Sequence, residues 1–487
     1  MSMMNWNELV TALQREGLLV TAPADGVQLS GLGIDTRTIA PGELYCAVRG
    51  TTADGHEFAA EAVARGAVAV MGERSVGAGV PEILVTDGRR AASVAARTWY
   101  GEPAAAMTLI GVTGTNGKTT TTGLVRHLFN AGGTAGSIGT LGAFDGAGER
   151  VPSTAGSLTT PGPVDLHATF AEFRKRGVTH IAMETSSHSL DQGRLDGLNF
   201  AAGIFTNLTH EHLDYHRTME AYLAAKLRLS ALLGPSGYEV VNADDPAWAA
   251  LPPFPRRVTF GESPDAEVRA EDVLLEAGGS SFRLTGRFGR ADVRIPLMGS
   301  FNVSNALAAA ATALVLGRPL AEVVDRLNAA PQVPGRMERL ADAPMVVLRD
   351  YAHTPDAMTR VLATLRPLTP GRLILIFGCG GDRDRSKRPE MARIAVEGAD
   401  LVAITPDNPR TEDPERIMDD MESGMGGAHH LRFNDREVAI HRVLADAEPG
   451  DTVLLAGKGH ETYQLIGKTK HPFDERTIVQ AALEGRS

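Results

Sequence analysis

The residues best suited to chemistry lie in the segment Gly114-Thr115-Asn116-Gly117-Lys118-Thr119-Thr120. Holding phosphate takes several backbone N–H groups and a cation at close range. Glycines let the backbone approach the anion, and the N-terminus of a following helix adds positive potential. In such a loop Lys118 contacts the terminal phosphates and the Thr119 hydroxyl holds Mg²⁺. The literal pattern G-x-x-x-x-G-K-[ST] requires glycine at position 112, where the chain has Val112; its glycines are Gly111, Gly114 and Gly117. The surroundings restore the reading. A β-rich run, Met107 to Thr113, precedes the loop, and a helical pattern through Leu124, Val125 and Leu128 follows it. The expectation is a loop that binds the phosphates of ATP.

Three further groups stand out. Glu184 ends the apolar run His180 to Met183; there it is either an oxygen ligand for a hard cation or a surface charge at a strand end. His212 lies in the polar run His210-Glu211-His212 and by itself reads as a solvated loop residue. Lys226 falls in a helical segment expected from Met219 to Leu233. At that period Met219, Tyr222, Leu223, Lys226, Leu229 and Leu233 share one face. A lysine on an apolar face either snorkels to water or, if desolvated, has a lowered pKa and a reactive neutral amine.

The elements that must carry these groups form three blocks. The first runs to about Pro103, with short apolar runs at 67–71 and 82–85. The second alternates strand-like runs at 107–113, 180–183, 201–205 and 239–241 with helix-length segments, as in a mostly parallel α/β sheet. The third begins near Pro334, with strand candidates at 345–348, 373–377, 401–404 and 452–455. Each of these four is soon followed by polar residues or glycine, and ligands of open parallel sheets bind beyond such carboxyl ends. The Gly- and Arg-rich stretch from Gly278 to Arg290 reads as an exposed hairpin or loop, and the Ala-rich run from Ala306 to Leu316 as a buried helix.

Bulk properties narrow the classes. A chain of 487 residues is too long for one core. Its formal net charge of -11 lacks the basic field of a nucleic-acid binder. Cys46 and Cys379 are its two cysteines. That number supports neither a disulfide framework nor a Cys-rich zinc site, and it suits a reducing compartment. The N-terminus lacks the basic flank and apolar core of a signal peptide. No run approaches the roughly 18 apolar residues of a membrane span. The expectation is a cytoplasmic protein that binds neither nucleic acid nor membrane.

The phosphate loop, with its Gly-Thr-Asn-Gly-Lys-Thr, resembles that of the Mur ligases, which build the peptide of the bacterial cell-wall precursor. The resemblance spans nearly the whole chain. It runs through Asp35-Thr36-Arg37, Leu158-Thr159-Thr160-Pro161, Met183-Glu184-Thr185-Ser186-Ser187-His188 and Thr206-Asn207-Leu208. It continues through His212-Leu213-Asp214, Phe301-Asn302-Val303-Ser304-Asn305, Gly335-Arg336-Met337-Glu338 and Asp350-Tyr351-Ala352-His353-Thr354-Pro355. It implies three domains: an N-terminal UDP-substrate-binding domain (1–103), a central ATP-binding P-loop domain (104–333) and a C-terminal Rossmann-like, amino-acid-binding domain (334–487). It further implies a monomer that spends ATP on an amide bond: the D-glutamyl side-chain carboxylate of UDP-MurNAc-L-Ala-D-Glu becomes an acyl phosphate, which the incoming amine attacks.

The same resemblance distributes roles. Lys118, Glu184, His212 and Lys226 become catalytic. Thr119, Glu184, His212 and Lys226 are implied metal ligands for Mg²⁺, Lys226 as a carbamate formed with carbon dioxide. Asn302, Arg336 and Asp350 join residues 114–120 as contacts to ATP. The nucleotide-sugar substrate falls to Ile34, Thr36, Thr51, Thr52, Ala53, Leu158, Thr159, Thr160, Ser186, Gln192 and Arg194. Asp407-Asn408-Pro409-Arg410, together with Arg383, Gly457 and Glu461, is implied to bind meso-diaminopimelate. That amino acid differs from lysine by one distal carboxylate, and a bidentate arginine, Arg410, is the side chain suited to recognise it. Two other readings stay open: a lysine-adding ligase of the same family, and an ATP-driven switch protein that makes no amide.

Overall fold

The computed structural model describes residues 5–50, 53–152 and 158–485. The chain forms two compact units: Met1–Arg269 with Gly286–Phe288 and Leu307–Val323, and Ala270–Thr285 with Gly289–Ala306 and Val324–Ser487.

The first unit holds two sheets. In the N-terminal sheet the strand order is Leu19–Thr21, Glu82–Val85, Ala69–Gly72, Glu43–Cys46, Gly31–Gly33; the last four are parallel and the first is antiparallel. Helix Trp6–Arg15 buries Trp6, Leu9 and Leu13, spaced by about one helical turn each, against this sheet and helix Gly88–Trp99. The strands of the central sheet that lie in this unit run Arg257–Gly261, Leu233–Asn242, Phe200–Phe205, Thr108–Thr113, His180–Glu184, Ala135–Gly139, Gly142–Phe144. All pair in parallel except the final hairpin. Strands covered on both faces need apolar residues at nearly every position, and Leu109, Ile110, Val112, Ile181, Ala182 and Met183 are all buried. The register sets Val112 beside Glu184 and Thr113 beside Phe205. Gly114, Thr185 and Thr206 therefore leave the sheet side by side at its carboxyl edge.

The second unit is doubly wound. Its sheet runs Glu338–Ala341, Val346–Asp350, Thr452–Ala456, Leu373–Phe377, Leu401–Ile404, Leu431–Arg432, antiparallel only at the first pair. The period of two separates its faces. Leu373, Leu375 and Phe377 pack with Met358 and Leu362 of helix Pro355–Leu365 on one side. Ile374 and Ile376 pack with Ile440 and Val443 of helix Arg436–Asp446 on the other. A hairpin, Tyr463–Ile466 with Thr469–Pro472, follows the strand Thr452–Ala456.

Two expectations need correction. The helix expected to reach Leu233 ends at Ala231, and Leu233 opens the strand Leu233–Asn242, which pairs with Phe200–Phe205. The stretch read as an exposed hairpin or loop is a hairpin, the strand Gly279–Gly286 paired antiparallel with Ala291–Ile295, but it is not wholly exposed. Its Ser280, Phe282 and Leu284 are buried, an alternation of period two that the flanking glycines and arginines obscured. The alanine-rich run lies in helix Ser300–Val315 except for its last residue, Leu316, and is buried as expected over residues 306–314. Among the described residues no helix is long and apolar enough to cross a membrane.

Candidate active site

The glycine loop joins strand Thr108–Thr113 to helix Lys118–Phe129. Gly117 opens the helix in the left-handed conformation (φ 85°), without a side-chain cap, so the positive end of the helix dipole faces the loop. Gly114 has φ 144°, and a Cβ there would lie 1.9 Å from Thr206 Oγ1. That contact and the positive φ explain why position 114 is glycine. Its backbone is held from the neighbouring strand end by Asn207, whose carbonyl accepts from Thr115 N (2.7 Å) and whose Oδ1 accepts from Asn116 N (2.9 Å). The Thr206 hydroxyl donates to Asn116 O (2.7 Å).

Two lysines converge on one carbonyl. Lys118 Nζ donates to Gly114 O at 3.0 Å and Thr115 O at 2.8 Å, and Lys226 Nζ donates to Gly114 O at 2.6 Å. Lys226 is 1% exposed and lies over the Tyr222 ring, 4.3 Å from its centroid. Of the two sequence alternatives, the structure takes the desolvated one. Burial pushes its pKa well below the ordinary lysine value; the Lys118 charge adds to the shift and Glu211 opposes it.

Glu184 is buried. Its carboxylate accepts from Thr140 N (2.9 Å) and the Thr140 hydroxyl (3.1 Å). The Thr160 hydroxyl donates to Glu184 O (2.8 Å) and accepts from Ser186 N (3.1 Å). Arg194 donates to Thr160 O (3.0 Å) and to Gln192 Oε1 (2.9 Å), and the Thr159 hydroxyl lies 3.3 Å from that of Thr140. Thr159, Thr160, Ser186, Gln192 and Arg194 are thus one hydrogen-bonded group beside Glu184. A Cβ built on Gly162 would lie 3.5 Å from Ile34 Cδ1, which brings Ile34 to the end of that segment. Thr36 is buried, Leu158 and Ala53 are exposed, and none of these three joins the group through a hydrogen bond. Thr51 and Thr52 lie outside the described residues.

His212 begins a helical turn in the left-handed conformation (φ 57°). Its ring meets His188 (4.9 Å between centroids) and Tyr222 (6.1 Å). Surrounding protein lowers its pKa, Glu211 opposes that shift, and Lys118 and Lys226 add to it. His188 also contacts Tyr215 (4.3 Å) and His216 (5.4 Å), and its burial drops its pKa to about 4. This imidazole–phenol layer escaped sequence reasoning, because its members lie on three separate segments.

In the second unit, Asp350 ends a strand and is buried. Its carboxylate accepts from Met337 N (2.7 Å) and Ala352 N (2.8 Å); burial raises its pKa, opposed by Arg336 and those two amides. Arg336 stacks on Tyr351, 4.7 Å from the ring centroid. Asn302 Nδ2 donates to Met298 O (2.8 Å) and its Oδ1 accepts from Asn305 (3.1 Å). Asp407, Asn408, Gly457 and Glu461 come together: Asn408 Nδ2 donates to Glu461 Oε2 at 2.7 Å, and a Cβ on Gly457 would lie 3.7 Å from the Asp407 carboxylate. Pro409 is buried between them and Arg410. Arg410 takes a left-handed backbone (φ 52°), and its N–H donates to Leu465 O in the hairpin (2.9 Å). Its guanidinium donates to Gly381 O (2.7 Å). Arg383 is exposed and donates to Asp382 O (3.1 Å). One residue absent from the sequence expectations lies at the centre of this group: Lys458, fully buried, its Nζ 3.1 Å from Asn408 Oδ1.

Among the described residues no three His, Cys, Asp or Glu side chains converge as a metal cage. The expected donors are instead the Thr119 hydroxyl, the Glu184 carboxylate, the His212 imidazole and Lys226. Mg²⁺ is commonly held by one or two carboxylates plus substrate phosphates. A buried carboxylate one strand from a phosphate loop fits that arrangement, and the depressed basicity of Lys226 fits the neutral amine a carbamate requires.

Three family models match: the Mur ligase family, catalytic domain, over residues 28–105; the Mur ligase middle domain over 112–313; and the Mur ligase, glutamate ligase domain over 335–459. The UDP-N-acetylmuramoyl-L-alanyl-D-glutamate--2,6-diaminopimelate ligase of Geobacillus kaustophilus is 44% identical over 93% of this chain and 95% of its own. The protein of the same name from Solibacter usitatus is 42% identical over 99% of both. A solved structure of a ligase with that name superposes with a TM-score of 0.68 at 34% identity, covering 97% of this chain and 98% of the other. MurF ligase from Thermotoga maritima in complex with ADP shares the fold, with a TM-score of 0.63 at 17% identity over 93% and 97%. With these likenesses running the length of the chain, over the phosphate loop and the polar strand ends alike, the protein belongs to the Mur ligase family.

Proposed function

We propose that this protein is an ATP-dependent, ADP-forming ligase that adds meso-2,6-diaminopimelate to UDP-N-acetylmuramoyl-L-alanyl-D-glutamate, as a cytoplasmic monomer supplying peptidoglycan precursor. The observation that carries the reading is the likeness to diaminopimelate ligases at 42–44% identity over 93% or more of the chain. In this reading residues 1–103 and the group around Thr160 hold the UDP substrate, 104–333 bind ATP, and 334–487 present the amino acid.

The chemistry is the one the family resemblance implies, and the geometry of the site supports the roles given to its residues. A free carboxylate is a poor acyl donor, so the D-glutamyl carboxylate attacks the γ-phosphorus of ATP; the acyl phosphate forms and ADP leaves. Transfer of this kind depends on positioning and charge neutralisation. The glycine loop and helix N-terminus hold the phosphates, and Lys118 moves its charge from the loop carbonyls to the transferred oxygens. Thr119, Glu184, His212 and Lys226 (as a carbamate, which turns a nitrogen donor into oxygen donors) would hold Mg²⁺. That ion, when bound, neutralises phosphate charge. Asn302, Arg336 and Asp350 serve the nucleotide. The diaminopimelate amine then attacks the acyl carbon, phosphate leaves, and the amide remains. Arg410 takes the distal carboxylate, Glu461 and the Gly457 carbonyl accept from the distal ammonium, and Arg383 reaches a carboxylate from its exposed loop.

The test is an assay of purified protein with ATP, Mg²⁺ and UDP-MurNAc-L-Ala-D-Glu, supplying diaminopimelate or lysine and measuring tripeptide and ADP. Tripeptide with diaminopimelate is expected. Preference for lysine would overturn the amino-acid assignment, and ADP without tripeptide would favour an ATP-driven switch.

A further inference from the structure

Lys458 lies in the amino-acid pocket with no expected role, and its setting is unusual. Lysine is almost never fully buried unless paired, yet Lys458 is 0% exposed. It follows Gly457, whose positive φ (109°) turns the chain at the end of strand Thr452–Ala456 and points the next side chain back beneath the strand ends. Its Nζ lies 3.1 Å from Asn408 Oδ1, 3.4 Å from Asp407 Oδ1 and 3.7 Å from Glu461 Oε2, and 5.7 Å from the centroid of Phe473. Every polar partner is therefore a residue of the pocket itself.

The hydrogen bonds have a direction. An ammonium only donates, so Asn408 must turn its oxygen toward Lys458. The hairpin reinforces this, because Leu465 N donates to the same oxygen (2.9 Å). With its oxygen so committed, Asn408 presents Nδ2 to Glu461 Oε2 at 2.7 Å. The order Lys458, Asn408, Glu461 is thus a one-way relay of donors. It leaves Glu461 fixed in place, beside a lysine that offsets the negative charge of Asp407 and Glu461.

We propose that Lys458 is a positioning residue for amino-acid selection: it fixes the Asn408 amide and the Glu461 carboxylate so that the pocket accepts the distal ammonium of diaminopimelate, without touching substrate itself. Burial pushes the Glu461 pKa up, the Asn408 hydrogen bond and the Lys458 and Arg410 charges oppose that rise, and Asp407 adds to it. Removing Lys458 would leave the Asn408 oxygen held by Leu465 N alone and take away the positive charge beside Asp407 and Glu461, loosening the carboxylate that the relay positions. The inference rests on the ligase reading above.

The test is a steady-state comparison of full-length wild type, Lys458→Met, Lys458→Gln, Glu461→Gln and Lys458→Met/Glu461→Gln, with KM read for all three substrates. Wild type forming tripeptide from diaminopimelate secures the parent reading; if it forms none, that reading fails, and with it this one. Given an active wild type, Lys458→Met is expected to raise the diaminopimelate KM about tenfold or more, with kcat and the KM for ATP and the UDP substrate moving less than about threefold. Lys458→Gln, which keeps an N–H donor, is expected to fall between and carries the comparison if Lys458→Met does not fold. The double variant is expected to be no worse than the poorer single variant, since both act on one carboxylate. A diaminopimelate KM within about twofold of wild type, equal shifts in all three KM values, or additive effects in the double variant would each overturn the proposal.

Discussion

Replacing Arg410 by alanine should strip the protein of its preference for diaminopimelate while leaving its use of ATP nearly intact. Arg410 holds a left-handed backbone (φ 52°). Alanine there keeps a Cβ and the same conformational strain, so the change isolates the side chain, which glycine would not. The guanidinium is anchored by Gly381 O at 2.7 Å, and an anchored fork is suited to a carboxylate. Hydrogen bonds between ions contribute about 1.5–3 kcal/mol each, and stripping one partner from a desolvated ion pair costs about 3–5 kcal/mol. Arg410 is only half-buried, so the lower end applies: a loss of about 3 kcal/mol, or about 10²-fold in kcat/KM for diaminopimelate. Lysine lacks the distal carboxylate, so its rate should change far less and the ratio between the two amino acids should narrow by a similar factor. Tripeptide formation, followed by chromatography with each amino acid at several concentrations, reads both numbers. A kcat/KM for diaminopimelate within about threefold of wild type would refute the role given to the fork.

Other perturbations test the rest of the site. Lys226→Ala should lower kcat by about 10²-fold or more, since it removes a group poised in the reacting centre; full activity without added bicarbonate or chloride would rule out a functional carbamate. Gly114→Ala places a methyl 1.9 Å from Thr206 Oγ1. It should weaken ATP binding measured by calorimetry and lower Tm, and unchanged affinity would show that the loop does not hold the phosphates. His167 is buried, and burial drops its pKa to about 4 from 6.5. The folded form then binds fewer protons than the unfolded chain between those values, so stability is intact above about pH 6.5 and lost as pH falls toward about 4, by at most about 3 kcal/mol. In urea titrations at pH 7 and pH 4.5, His167→Gln should shrink the stability gap between the two by about 2 kcal/mol; an unchanged gap would mean His167 does not contribute.

Much of this protein could be read from local pattern alone. The strands at 373–377 and 401–404 have the bounds expected from their apolar runs, because a strand covered on both faces needs apolar residues at nearly every position. The glycine loop and the Asp-Asn-Pro-Arg segment were legible because their residues are contiguous. The limits of helix Met219–Ala231 were not, since Leu233 satisfies the helical period equally well and is claimed by sheet pairing with Phe200. Burial of Gly279–Gly286 was hidden by flanking glycines and arginines. Periodicity likewise left Lys226 open between snorkelling to water and burial; the tertiary packing of Tyr222 and the Gly114 carbonyl around its nitrogen decided it. Lys458 gave no signal of its own, because a charge beside glycines is ordinary in a turn. Its place comes from three chain segments meeting at the strand ends. Pattern in a sequence reports what a residue's near neighbours require, whereas desolvation and the direction of a hydrogen bond depend on groups from distant segments that only folding brings within a few ångströms.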